Sequence, residues 1–109
     1  MIRTIKIGDQ NVEMLANAAS PYLYSQIFHA DFLKESMKAE SDMDIHIWER
    51  MGFVFAMRAK MTREEMQKLT MDDFLNWLEE FAPMAVLQAS QQISALYQEQ
   101  SKGGSHPKK

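Results

Sequence analysis

The sequence contains no cysteine and only four glycines among its 109 residues. Without cysteine, the chain can form no disulfide and can offer no thiolate to a metal. Gly103 and Gly104 lie near the end of the chain, which leaves only Gly8 and Gly52 for the rest. Neither the Gly-x-Gly-x-x-Gly pattern nor the P-loop pattern occurs, so the phosphate-binding loops of nucleotide enzymes are absent from the sequence.

Long hydrophobic runs and an excess of positive charge are also missing. The longest apolar run extends from Met51 to Met57 and is far shorter than the roughly 20 residues that span a membrane. The first residues alternate between apolar and polar, unlike a secretory signal peptide. The net charge is −3, whereas a nucleic-acid-binding surface is basic. We expect a soluble, cytoplasmic protein with neither a nucleic-acid partner nor a membrane partner.

The apolar spacing predicts an α+β fold that is mainly α. Ile5 and Ile7 lie on either side of Lys6, and this period of two predicts a β-strand. Turn-forming residues occupy 8–11, and a second alternating segment follows. We therefore predict a β-hairpin within residues 2–17.

A bundle of about five or six helices is predicted after the hairpin, from residue 20 to residue 100. Ser20 and Pro21 are typical of a helix start, with Ser20 as the N-terminal cap. The predicted helices cover residues 20–38 (with a break at 29–31 left open), 42–60, 62–69, 70–81 and 84–100. The helix over 42–60 has two apolar stripes and is expected to be central. The predicted domains are one globular domain over 1–100 and a disordered tail over 101–109.

Residues typical of catalysis are few. His46 and Glu49 have the spacing of one half of a carboxylate di-metal site, but no second Glu-His pair occurs. The hypothesis of a small metal-carboxylate enzyme rests on these two residues alone. The favoured interpretation is a surface histidine beside an acidic residue. Adjacent acids such as Glu64-Glu65 and Asp72-Asp73 are explained by helix capping. We predict no enzymatic activity, no metal and no cofactor.

Ten methionines are the most unusual feature of the composition. Methionine fills irregular gaps in cores, and the same flexibility suits a groove that accepts apolar partners. Met57 and Met61 are candidates for such a groove, and a partner helix is the expected occupant. Trp77 and Phe81 are aromatic candidates, because tryptophan is a favoured anchor where it is exposed. Core packing is the alternative for each of them.

Several segments, taken in order, resemble the tail assembly chaperones of siphovirus-type, long-tailed phages and prophages of Gram-positive bacteria. Residues 20–31, SPYLYSQIFHAD, resemble the family segment Thr/Ser-Pro-x-x-Tyr-x-x-x-Phe-Gly-x-Asp. His29 stands where the family usually has glycine. Residues 73–81, residues 93–97 and a tail ending in Pro107-Lys108-Lys109 are also similar. The similarity covers almost the whole chain.

The resemblance implies a function without catalysis in the cytoplasm of the bacterial host. Such chaperones bind the tape-measure protein, keep it soluble, help to recruit tail-tube protein and are absent from the finished virion. The resemblance also implies self-association and a longer product made by ribosomal slippage near the codons for Lys108-Lys109. Within the similar segments, Tyr24, Phe28 and Asp31 become candidate contact residues, and core packing is the favoured interpretation for Tyr24 and Phe28. A small helical protein–protein adaptor or regulator is the alternative function.

Overall fold

The computed structural model describes residues 2–42 and 46–104, and its first element is a β-hairpin. Strands β1 (Ile2–Ile7) and β2 (Gln10–Leu15) pair antiparallel, with Ile5 opposite Val12. Gly8 and Asp9 form a two-residue turn in which Gly8 has a φ of 63°, as the first position of a type II′ turn requires. The predicted hairpin is confirmed, but the predicted turn over 8–11 is too long, because residues 10 and 11 belong to β2.

Seven helices follow among the described residues, and the predicted α+β, mainly α class is confirmed. They are α1 (Ser20–Phe28), α2 (Phe32–Asp42), α3 (His46–Lys60), α4 (Arg63–Met66), α5 (Met71–Leu78), α6 (Ala85–Gln88) and α7 (Ser90–Gly104). Their number exceeds the prediction because the segment predicted as one last helix is divided at Ala89 into α6 and α7.

The chain breaks between α1 and α2 at the position left open by the sequence. His29 adopts a left-handed conformation with φ 54° and ψ 43°, and its N–H donates to the Ser25 carbonyl at 2.8 Å. Asp31 then caps α2, because its Oδ1 accepts from the Leu33 N–H at 3.0 Å. A left-handed residue is a common way to end a helix, so α1 and α2 are separate elements.

The start of α1 differs from the prediction. Ser20 is the first residue of the helix, and Ala19 is its N-terminal cap. The Ser20 hydroxyl accepts from the Asn17 N–H at 3.0 Å. Ser20 therefore stabilises the turn that leads into α1, instead of capping the first turn of the helix.

Helix α3 is the centre of the core, as its two apolar stripes predict. Every residue from 51 to 57 is buried, so α3 is covered on all sides over two turns. Gly52 allows a close approach of α7, because a Cβ at this position would lie 2.7 Å from Ile93 Cδ1. Of the predicted start of this helix, residues 43–45 lie outside the described residues and Asp42 belongs to α2.

The predicted caps of α4 and α5 are confirmed. The Glu65 N–H donates to Thr62 Oγ1 at 3.2 Å, and Glu65 Oε1 accepts from the Thr62 N–H at 2.9 Å. At α5, Asp73 Oδ2 accepts from the Thr70 N–H at 2.8 Å. These side chains bind amides that a helix start leaves without an intrahelical partner.

The end of the described chain is helical. Helix α7 continues to Gly104, so residues 101–104, predicted as part of a disordered tail, are its last turn. The rest of the predicted tail, residues 105–109, lies outside the described residues. No helix in the part of the chain that the structure describes is both long and apolar enough to cross a membrane.

Candidate partner-binding groove

A groove of about 560 Å³ lies between the hairpin, the second half of α3 and the end of α5. Its apolar lining comes from all three, and consists of Val12, Ala56, Ala59, Trp77 and Phe81. The small alanine side chains of α3 leave the space that the groove occupies. A concave apolar surface is the usual form of a binding site for an apolar ligand or side chain.

Trp77 and Phe81, both predicted as contact residues, are brought together in this groove. Their ring centroids are 5.1 Å apart and the ring planes are inclined by 73°. On its other side Trp77 contacts Phe53, at a centroid distance of 5.7 Å. Trp77 is only 4% exposed, whereas Phe81 is half-buried. Trp77 is therefore part of the core that reaches the groove at one edge, and Phe81 offers more surface to a partner.

The rim of the groove is polar and carries both signs of charge. Glu13 and Glu80 contribute carboxylates, and Lys60 contributes an ammonium group. The Gln10 Nε2 donates to the Glu80 carbonyl at 3.0 Å, which ties the start of β2 to the segment after α5. An apolar centre with a polar rim is the general form of a protein–protein interface.

Tyr24 and Phe28, also predicted as contact residues, lie in the aromatic core and do not line the groove. Tyr24 is fully buried, and its ring is 5.0 Å from those of both Phe28 and Phe32. Phe28 is half-buried and meets Phe74 at 5.2 Å. Both residues therefore have a packing role within one chain. The predicted Asp31 is exposed and caps α2, as described above.

The Tyr24 hydroxyl joins three helices. It donates to Glu35 Oε1 on α2 at 2.5 Å and accepts from Arg50 Nε on α3 at 2.7 Å. Burial raises the pKa of Tyr24 well above its usual range; the hydrogen bond to Glu35 acts in the same direction, and that from Arg50 opposes it. The phenol therefore stays protonated and holds α2 against α1 and α3.

The predicted methionine contacts are not prominent on the surface. Met57 is buried and Met61 is half-buried, and neither lines the groove. Among the residues that the structure describes, the exposed methionines are Met37, Met71 and Met84, which are 71%, 48% and 54% exposed. In the sequence, Met37 and Met71 each lie four residues from a leucine, which is the spacing of neighbours on one face of a helix.

His46 and Glu49, the basis of the metal hypothesis, pair with each other. His46 Nδ1 and Glu49 Oε1 are 2.5 Å apart on the first turn of α3. Within residues 2–42 and 46–104, no group of three or more His, Asp or Glu side chains is arranged to hold a metal ion. The two side chains are therefore within hydrogen-bonding distance of each other near the start of α3.

The groove includes residues that sequence reasoning did not select, above all Val12, Ala56 and Ala59. The sequence pattern places Val12 in a strand and Ala59 in an apolar stripe of the helix predicted over 42–60. No local pattern shows that two elements distant in sequence leave a gap between them. Compared with known proteins, the chain matches no family model, no curated protein and no solved structure.

Proposed function

We propose that this chain is a tail assembly chaperone of a long-tailed phage or prophage, acting in the cytoplasm of the bacterial host. It binds and solubilises the tape-measure protein, helps to recruit tail-tube subunits and is absent from the mature virion. The observation that carries the proposal is the segment over residues 20–31, in which the positions shared with that family have distinct structural roles.

Each of these positions suits the residue type that the family has there. Pro21 lies in the first turn of α1, where its missing N–H leaves no hydrogen bond unmade. Tyr24 and Phe28 pack in the core. His29 adopts the left-handed conformation that glycine, the usual family residue, enters without strain. Asp31 caps the next helix. The shared pattern thus describes a specific helix–break–helix arrangement, which supports a common fold.

The groove provides a physical route to the proposed activity. A tape-measure protein is long and helical, and its apolar stripe would aggregate before the tail tube encloses it. The apolar lining around Phe81 and Val12 can accept side chains of such a stripe, while Lys60 and Glu13 at the rim meet its polar flanks. Many copies, each bound with modest affinity, cover a long partner and can still be displaced by tube subunits.

The test is co-purification with the tape-measure protein from cells that carry the phage or prophage and are producing tails. The affinity-tagged wild-type chain is compared with Ala59→Arg, which fills the groove from α3 and keeps a good helix former. Ala95→Arg, an exposed alanine on α7, is the matched control. We expect the wild type and A95R to capture the very long, helix-rich tape-measure protein, and A59R to capture about tenfold less, equivalent to ~1.4 kcal/mol.

Two outcomes would contradict the proposal. If the soluble tape-measure protein is present in the lysate and is not captured by the wild type, the chaperone function is wrong and the helical adaptor or regulator replaces it. If A59R captures as much as A95R does, and circular dichroism shows that both are folded, the tape-measure protein does not bind in this groove.

A further inference from the structure

The outer edge of strand β2 forms one wall of the groove. Four consecutive residues of the strand, from Gln10 to Glu13, line it. Since consecutive side chains of a strand point to opposite faces, the groove runs along the edge of β2 and does not lie on one face of the hairpin. The sheet of the described residues has the order β1-β2, so no further strand pairs with this edge.

The hairpin leaves main-chain groups of β2 unpaired at this edge. Ile7 and Gln10 flank the two-residue turn, and the register continues without a bulge. In such a hairpin the residues next to the turn form a hydrogen-bonded pair, and hydrogen-bonded and non-hydrogen-bonded pairs then alternate. The N–H and C=O of Asn11 and Glu13 therefore point away from β1. Within residues 2–42 and 46–104, no loop, cap or side-chain hydrogen bond reaches them.

We propose that this edge binds an extended peptide segment, which becomes a third strand beside β2. Main-chain hydrogen bonds from Asn11 and Glu13 give affinity and side-chain contacts give specificity, as is general for peptide binding by strand addition. A helical partner does not use these groups, because its own N–H and C=O groups are paired within the helix. The inference therefore goes beyond the proposed capture of a helical partner and adds a second class of ligand for the groove.

The two sides of the edge define the side-chain pattern of the segment. Side chains on the side of Val12 meet the apolar lining that Ala59 and Phe81 contribute. Those on the other side lie beside Asn11 and Glu13, which are both exposed. Apolar and polar residues should therefore alternate in the bound segment, because its own side chains point alternately to the two sides.

The exposed side of the edge favours a basic residue in the segment. Glu13 lies opposite the uncharged Thr4 in the hairpin, and within the described ranges its carboxylate takes part in no ion pair. Glu80 adds a second carboxylate to the rim of the groove, whereas Lys60 contributes one ammonium group. A lysine or arginine opposite Glu13 would form a cross-strand pair of opposite charge, and an acidic residue there would meet a like charge.

The probe is the synthetic peptide acetyl-Lys-Val-Thr-Val-Lys-Val-Thr-amide, in which valine alternates with polar residues. One comparison peptide carries glutamate in place of both lysines. The other, acetyl-Lys-Lys-Val-Val-Val-Thr-Thr-amide, has the same composition without the alternation. Binding to the isotopically labelled full chain is followed by a chemical-shift titration up to millimolar peptide. Hydrogen exchange of the backbone amides is measured in the free and in the bound chain.

We expect the lysine peptide to bind and to slow exchange of the Asn11 and Glu13 amides about tenfold when about nine-tenths of the chain is bound, because exchange then occurs from the free fraction. Asn11→Pro removes one outward N–H without breaking the hairpin ladder and should weaken binding about tenfold. Lys6→Pro, at the same rung on the outer edge of β1, is the matched control and should bind as the wild type does. Glu13→Lys should reverse the preference, so that the glutamate peptide binds more tightly than the lysine peptide.

Three results would overturn the proposal. The first is a lysine peptide that does not bind at millimolar concentration, or that binds without protecting the two edge amides. The second is equal binding by N11P and K6P when circular dichroism shows that both are folded. The third is an E13K variant that keeps the preference for lysine, or equal binding of the alternating and non-alternating peptides. No tape-measure protein is present in this test, so its failure and the failure of the proposed function are distinguishable.

Discussion

The close contact between α3 and α7 at Gly52 predicts a specific pair of mutational effects. A Cβ at Gly52 would lie 2.7 Å from Ile93 Cδ1, well inside van der Waals distance. Ile93 is fully buried, so its terminal methyl has no solvent to move into. The substitution Gly52→Ala should therefore overpack the α3–α7 contact.

Two free-energy contributions of opposite sign determine how much Gly52→Ala changes the free energy of unfolding. Overpacking a core by one methyl costs about 1–3 kcal/mol, whereas replacing glycine by alanine inside a helix gains about 1 kcal/mol. We expect G52A to lower the free energy of unfolding by about 1 kcal/mol, the central value of the difference. Ile93→Val removes Cδ1 and by itself costs about 0.5–1.5 kcal/mol. In the I93V background the clash is gone, so adding G52A should be stabilising by up to about 1 kcal/mol.

The assay is a double-mutant cycle by urea denaturation of the wild type, the two single variants and the double variant. The expected coupling energy favours the double variant by about 1–2 kcal/mol, within the range seen for residues in contact. The matched control is Ala95→Gly in both backgrounds, which changes helix propensity at an exposed site of α7. Its effect should be the same with Ile93 intact and in I93V. An identical effect of G52A in both backgrounds would show that α3 and α7 do not meet in this way.

The Tyr24 hydroxyl and the left-handed residue His29 each give a further prediction. Because the pKa of Tyr24 is raised in the folded state, the unfolded state loses this proton first, and stability should fall as the pH rises above about 10. Chemical denaturation across that range should show a smaller alkaline loss for Tyr24→Phe, and equal losses in both proteins would contradict the buried phenol. At His29, where φ is 54°, glycine should be more stable than alanine by about 1 kcal/mol in thermal melts, and a more stable H29A would exclude a left-handed backbone there.

Local signals in the sequence predicted the elements of the fold well, and their ends less well. The Thr62 and Thr70 caps were predictable because a capping box lies within four consecutive residues. Ser20 has the same chemistry, but its hydroxyl bonds back to Asn17, because the preceding turn brings that amide within reach. The last predicted helix is divided at Ala89, where the sequence has neither glycine nor proline. No local signal in the sequence therefore predicted this division.

The candidate site was only partly predictable for the same reason. Trp77 and Phe81 are four residues apart, so the helix predicted over 70–81 places them on one face. In the structure α5 ends at Leu78, and Phe81 stays beside Trp77 because a turn follows in which its N–H donates to the Leu78 carbonyl at 3.1 Å. Their position opposite Val12 depends on the packing of β2 across α3, which no local pattern specifies. Burial was equally non-local, as Met57 is covered by distant elements whereas Met71 on α5 is exposed.

The complete burial of the middle of α3 has a consequence for the order in which the chain folds as it leaves the ribosome. The hairpin and α1 are synthesised before α3, so their apolar faces lack this partner until α3 has emerged. The contact between Gly52 and Ile93 can form only later, because Ile93 on α7 is synthesised about 40 residues after Gly52. The core can close only after α7 has been synthesised, and until then the nascent chain itself exposes an apolar surface.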